Sequence, residues 1–260
     1  MTSLLLTSNI GYAEPMPSFR CERATSFDER LVCSDEKAGT LDSKLTALYK
    51  LSLRIVGPGR EIQRQQLNWV KTVRGKCTDL ECISQAYSRR IEEILRLLDE
   101  HTRPIPEVVT GRIDYPASNS PYCRENPEVR DYFTVMMKRD ASAISGYIDG
   151  VHDCGRKVWG AIEMHGHVVG NVADVEYEGG FAGKGWAKAF VLLKGNRLYW
   201  QIYQELRFES YEPKFEILKV TERDGPPNRV PPPIKWTPPT NDKEGVYDGE
   251  RENEKTESVQ

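Results

Sequence analysis

Six cysteines, Cys21, Cys33, Cys77, Cys82, Cys123 and Cys154, are the side chains whose number and spacing speak first of chemistry. An even set in an exported chain reads as a disulfide framework, whereas the same set in a reducing cytosol reads as metal or redox chemistry. The intervals lack paired CxxC units, so a zinc site is disfavoured. The first residues bear on the compartment. Leu4, Leu5 and Leu6 form a short apolar run, and Gly11-Tyr12-Ala13 supplies small residues three and one positions before Glu14. That pattern suits signal-peptidase cleavage after Ala13, although a basic stretch before the apolar run is missing. Residues 1–13 are therefore read as an export signal, and the protein as periplasmic or secreted.

His165-Gly166-His167 is the one histidine pair. In a strand, positions i and i+2 share a face, which suits two metal ligands, but the intervening glycine suggests an exposed turn. Glu163 and His152 stand at no telling interval, so no metal is assigned. The run from Gly179 to Trp186 is glycine-rich around Lys184. It lacks the Ser or Thr after the lysine and sits among strands, so a phosphate loop is rejected. Phe181, Lys184 and Trp186 are instead candidates for a protein contact on a loop, since aromatics and a cation there often serve recognition. Nothing resembles a nucleophile elbow or a Ser/His/Asp set. Carboxylate pairs such as Glu92-Glu93 fall on exposed helix faces. The chain is read as a non-enzyme without a cofactor.

These residues need elements to hold them. At 260 residues with 38% hydrophobic content, two modest domains and a tail are expected. The net charge of −3 gives no general case for nucleic-acid binding. No stretch approaches the ~20 apolar residues that span a bilayer. Residues 19–100 read as a helical domain. Ser26 and Glu29 have capping-box spacing for a first helix ending near Cys33. Leu41, Leu45, Leu48, Leu51 and Ile55 mark a second helix, broken by Gly57-Pro58-Gly59. Ile62, Gln66, Trp69, Val70 and Val73 mark a third, ending around Gly75. Ile83, Tyr87, Ile91, Ile94, Leu95 and Leu98 mark a fourth from Cys82, so a small antiparallel bundle is expected. After a linker at 101–106, the period changes to two, and residues 107–224 read as a β-rich domain. Strands are expected at 108–115, 132–138, 144–151, 158–164, 168–176, 187–193, 197–203 and 215–221, forming an antiparallel barrel or sandwich. In 197–203, Leu198, Trp200 and Ile202 alternate with Tyr199, Gln201 and Tyr203, as in a half-buried strand. Residues 225–260 read as a proline-rich spacer and a disordered acidic tail; from Thr240 on there are 7 acids and 3 bases. The fold class is α+β.

The helical segment resembles the N-terminal domain of the LprI-like lysozyme-inhibitor family. Phe19-Arg20-Cys21, Glu29-Arg30-Leu31-Val32-Cys33, Leu41-Asp42, Tyr49, Gln66-Leu67-Asn68-Trp69, Cys77, Cys82, Tyr87 and Arg90 carry the resemblance. It covers about 80 residues. One position departs from the family pattern: one turn after Trp69 stands Val73 where an arginine is usual, and the arginine is Arg74, ~100° further around a helix. Four cysteines allow three connectivities. The preferred set is Cys21–Cys33 and Cys77–Cys82, with Cys123–Cys154 closing the β domain. The resemblance implies an exported protein-binding module that inhibits lysozyme by occluding its cleft. An envelope adaptor without lysozyme activity is the alternative, and a metal-binding or weakly hydrolytic β domain is the second.

Overall fold

The computed structural model describes residues 17–57, 59–116, 123–124, 130–155, 157–179, 185–205 and 214–220. The chain divides into two units, Met1–Asp224 and Gly225–Gln260, and every described residue belongs to the first. The export signal, the proline-rich spacer and the acidic tail lie outside the described residues, as do Phe181 and Lys184.

Four α-helices come first: α1 (Phe27–Ser34), α2 (Glu36–Ile55), α3 (Arg60–Thr72) and α4 (Leu80–Asp99). Three of the four starts carry a side-chain cap. The Ser26–Glu29 capping box is complete on both sides, and Asp35 and Asp79 accept the N–H groups of Ala38 and Cys82. Gly57, at φ +107°, ends the α2 segment in a conformation that suits glycine. Leu45, Leu48, Leu51 and Ile55 of α2 meet Ile83, Tyr87, Ile94 and Leu98 of α4 in one apolar cluster. Helix α3 contributes Trp69, whose ring stands edge-on to Tyr87 with centroids 5.2 Å apart. Val73 does not extend the α3 stripe as its spacing predicts. The helix ends at Thr72, the backbone turns at Val73 (φ −113°, ψ −69°), and that side chain is exposed.

Eight strands follow: β1 (Val108–Asp114), β2 (Tyr132–Asp140), β3 (Ala143–His152), β4 (Lys157–Val169), β5 (Val172–Gly179), β6 (Gly185–Lys194), β7 (Arg197–Glu205) and β8 (Phe215–Val220). Each pairs antiparallel with its sequence neighbour, and β1 pairs with β8 through Gly111↔Val220 and Arg112↔Lys219, so the sheet is a closed barrel. Closure decides between the two expected β architectures and leaves the ladder no free edge. Eight strands enclose a space just wide enough for side chains to fill. Phe133, Val135, Met137, Ile148, Val191, Leu198 and Trp200 are among those that fill it.

Two glycines answer the crowding inside. A Cβ on Gly146 would lie 2.0 Å from Met136 O, and one on Gly166 would lie 2.1 Å from Asp174 O. Both stand where neighbouring strands approach too closely for any side chain. His165-Gly166-His167 is accordingly no turn. It lies within β4, paired to Asp174–Glu176 of β5, and the hairpin turn comes later at Gly170-Asn171. Gly170 adopts φ +61°, and Asn171 N–H donates to Asp99 Oδ1 at 2.6 Å, which fastens this turn to the end of α4.

The expectation of a half-buried strand at 197–203 is also corrected. Leu198, Trp200 and Ile202 face the barrel interior, while Tyr199, with Val172, Phe190 and Leu192, belongs to the apolar cluster of the helices. Over these residues the outer face of β5–β7 is thus covered by α2 and α4, and most of β7 is buried on both faces. At the β6–β7 register shift, Lys188 pairs with Gln204 and Ala189 with Ile202, so Tyr203 is the extra residue of a bulge. Tyr203 stacks on Phe190 at 4.6 Å and donates to Asp174 Oδ1, whose other oxygen accepts from Lys44 Nζ on α2 at 2.6 Å. The segment 101–106 is likewise tied down: Arg103 N–H donates to Leu193 O, its Nε to Gly195 O, and Ile105 is buried in the barrel core.

Candidate functional site

The strand ends sort the connections by length. Between β2 and β3, β4 and β5, and β6 and β7 the chain turns in two residues, at 141–142, 170–171 and 195–196. Between β1 and β2, β3 and β4, β5 and β6, and β7 and β8 it takes residues 115–131, 153–156, 180–184 and 206–214. In an up-and-down barrel these two sets leave from opposite ends, so the strand ends that the longer connections join share one mouth. Their sequences carry Tyr122, Phe181, Phe208 and Tyr211 together with Arg124, Arg130, Lys184 and Arg207. Aromatic and arginine side chains are the types enriched at protein interfaces.

The mouth is braced by covalent and polar contacts. Cys123–Cys154 links the 115–131 connection to the 153–156 turn, with Cα atoms 5.3 Å apart. That turn is unusual: Asp153, Cys154 and Gly155 all have positive φ, at 56°, 54° and 89°. The buried Asp131 carboxylate holds it by accepting the Cys154 N–H at 2.7 Å. Tyr115 donates its hydroxyl to Glu216 Oε1 at 2.9 Å and joins β8 to the end of β1. Burial, then the Glu216 charge, pushes the Tyr115 phenol far up, so it remains a donor at any ordinary pH.

Beside this mouth, a groove of about 380 Å³ lies between the start of α2 and the outer face of the barrel. Register builds its floor. His165 of β4 pairs with Glu176 of β5, Glu176 with Lys188 of β6, and Lys188 with Gln204 of β7. Two pairs nearer the mouth, Glu178 stands opposite Trp186. Glu36 and Thr40 of α2 form the wall, and Gln204 Nε2 reaches Thr40 Oγ1 at 3.4 Å. Glu176 is engaged from both sides: Oε1 lies 3.0 Å from His165 Nε2 and Oε2 forms an ion pair with Lys188 Nζ at 3.3 Å. Lys188 Nζ also lies 5.7 Å from the Trp186 ring centre.

Of the residues singled out in sequence, His165 and Trp186 therefore meet in one groove, with Trp186 half-buried at the start of β6. His167 is exposed two pairs away, opposite Asp174 across the ladder. No group of three metal-ligating side chains occurs among the described residues. All six cysteines are paired, in the preferred connectivity. Glu36, Thr40, Glu176, Glu178, Lys188 and Gln204 had no local signal in the sequence. Only barrel register and the seating of α2 bring them together.

The residues that carry the family resemblance lie elsewhere, largely bonded to each other inside the helical segment. Asp42 is buried and accepts from Ser18 N–H, Ser18 Oγ and Tyr87 OH. Arg90 donates to Gln66 Oε1 at 3.0 Å and to Glu93 Oε2 at 2.7 Å. Arg74, freed from the α3 spiral by the break at Val73, turns inward and donates to Asp28 Oδ2 at 2.7 Å. The ~100° displacement presumed a helix that continues, and it does not. These residues account for how the segment folds, not for a surface that meets a partner.

The Asp28–Glu29 corner has a pH consequence. Burial alone would raise the Asp28 pKa, but the Ser26 hydroxyl and the Arg74 guanidinium outweigh it and hold the value below normal. Glu29 is lowered by the backbone N–H groups of Ser26 and Thr25. Both folded values lie below the unfolded ones. The stabilisation is therefore complete above the ordinary carboxylate range, about pH 4, and is lost as pH falls through the folded values. The urea midpoint is expected to drop between pH 6 and pH 3, and Asp28→Asn should flatten that slope. An unchanged slope in Asp28→Asn would show that the pair contributes nothing to acid sensitivity.

The fold and site define a class: an eight-stranded up-and-down barrel with a disulfide-stapled helical segment seated on its outer face and a groove beside one mouth. No family model, curated protein or solved structure matches the chain.

Proposed function

We propose that this chain is an exported protein-binding module that engages its partner through the mouth carrying the long connections, and that lysozyme is the partner to test first. The observation that carries the binding reading is the segregation of connections. Three two-residue turns close one end, and four longer segments, with their aromatic and cationic side chains, leave the other. A closed barrel braced by helices is a rigid support, and recognition residues are commonly carried on loops held by such supports. Three disulfides and no free cysteine fit an oxidising compartment. No described helix is long and apolar enough to cross a membrane. The choice of lysozyme rests on the resemblance of residues 19–98, with Phe181 and Lys184 offered to the enzyme's cleft and blockade as the mechanism.

The test is titration of lysozyme activity on cell-wall substrate with the oxidised protein from Glu14 onward. Stoichiometric inhibition is expected, abolished by Phe181→Ala with Lys184→Ala and by reduction of the disulfides. No inhibition of any lysozyme class at micromolar excess would remove lysozyme and leave the envelope-adaptor reading, in which another protein occupies the mouth.

A further inference from the structure

The groove beside the mouth has a charge balance that its own residues do not settle. Three carboxylates, Glu36, Glu176 and Glu178, face one ammonium, that of Lys188. Glu176 takes both available partners, Lys188 and His165. Among the described residues, Glu36 and Glu178 form no ion pair. Glu178 stands directly across the ladder from Trp186, which gives the groove an aromatic face beside a carboxylate that pairs with no described cation. Glu36 approaches from the other wall, at the first turn of α2. The Gln204 amide and Thr40 hydroxyl add hydrogen-bonding groups at the back.

We infer that this groove seats an arginine side chain from a basic segment of the partner protein, with the guanidinium between Glu36 and Glu178 and its plane against Trp186. The inference rests on the binding reading above and names the chemistry of the partner. Charge complementarity selects a cation. The aromatic face and two carboxylates favour a planar fork over the point charge of a lysine. At about 380 Å³ the groove is at the small end of ligand sites, which run from ~300 to ~1,000 Å³, a size suited to one side chain and its backbone. Lys188 is the one ammonium among the described lining residues and opposes the incoming charge, so its removal should help binding. That expectation separates a cation seat from a merely sticky depression.

The probe is the pentapeptide Gly-Gly-Arg-Gly-Gly, with Gly-Gly-citrulline-Gly-Gly as its neutral isostere. Binding is read from the Trp186 indole N–H resonance of the full, oxidised protein, assigned by its loss in Trp186→Phe. The arginine peptide should shift that resonance saturably, with the citrulline peptide about tenfold weaker. Glu36→Gln and Glu178→Gln should each weaken binding about threefold and Lys188→Gln should tighten it by a similar factor, as exposed charge pairs of ~0.2–1 kcal/mol imply. Both glutamates are exposed, so these variants keep the fold. Equal binding of the two peptides, or indifference to all three charge changes, would overturn the inference. Because the readout involves no lysozyme, the seat can fail while inhibition at the mouth stands, and the reverse.

Discussion

Trp200→Ala is expected to lower the unfolding free energy by about 3–5 kcal/mol, the range for removing a large buried aromatic. Trp200 is wholly buried on the inner face of β7. Phe133 stands edge-on to it with centroids 5.6 Å apart, and Tyr177 lies tilted at 5.8 Å. The three rings come from β2, β5 and β7, so they join strands that are not neighbours in the ladder. The closed ladder cannot collapse into the space an indole leaves, because its strands are hydrogen-bonded on both sides. Most of the cavity cost should therefore persist. A fall in Tm of about 10 °C is expected, at 2–4 °C per kcal/mol for a chain of this size. Calorimetry would report it as one transition, since α2 and α4 share an apolar cluster with the outer face of the same strands. A loss under 1 kcal/mol would mean that the interior is not packed as described. Two separated transitions would mean that the helices stand without the barrel.

The double variant Cys123→Ser, Cys154→Ser should cost about 3–4 kcal/mol, from the entropy of releasing a loop with a sequence separation of 31. The corresponding change at Cys77 and Cys82, whose separation is 5, should cost about 2 kcal/mol on the same reasoning. The comparison matters because the two bridges serve different places. Cys123–Cys154 holds the longest connection of the mouth to a turn with three consecutive positive φ angles. Its loss should weaken partner binding at the mouth and leave the arginine peptide bound in the groove. Urea midpoints and the two binding assays check this together. An unchanged midpoint, or equal losses at mouth and groove, would count against the bracing role.

Much of this fold is visible in local pattern. The apolar steps of α2 and α4, the Ser26–Glu29 box and most of the strands follow from spacing alone, because each depends on residues within a few positions, whereas the expected strand 168–176 straddles the turn between β4 and β5. What escapes depends on distant pairs. The closing partnership of β1 with β8 has no local mark, so barrel and sandwich look alike. Gly166 reads as a turn because a sequence does not reveal the backbone oxygen that a side chain there would strike. Strand β7 is misread for a related reason. Its run Leu198-Tyr199-Trp200-Gln201-Ile202-Tyr203 is nearly continuous in apolar and aromatic character, which marks a strand covered on both faces. Within the candidate site, Trp186 and His165 stand out by type, whereas Glu36 and Glu178 are ordinary surface acids until α2 is seated beside β5.

The seam of the barrel also has a consequence for how the chain reaches its structure. Gly111 must find Val220, a separation of 220 − 111 = 109 residues, whereas every other strand pairs with its immediate neighbour. Hairpins and helices form on microsecond scales, but non-local closure is slow because chain entropy is lost before contacts compensate. The seven neighbour pairings can therefore assemble first, leaving an open sheet with β1 and β8 as its two unpaired edges. During that interval the chain is most exposed to pairing with a second copy of itself. Gly111→Ala, whose Cβ would lie 3.0 Å from Leu218 Cβ, should show slower refolding and greater aggregation at high concentration in addition to its loss at equilibrium.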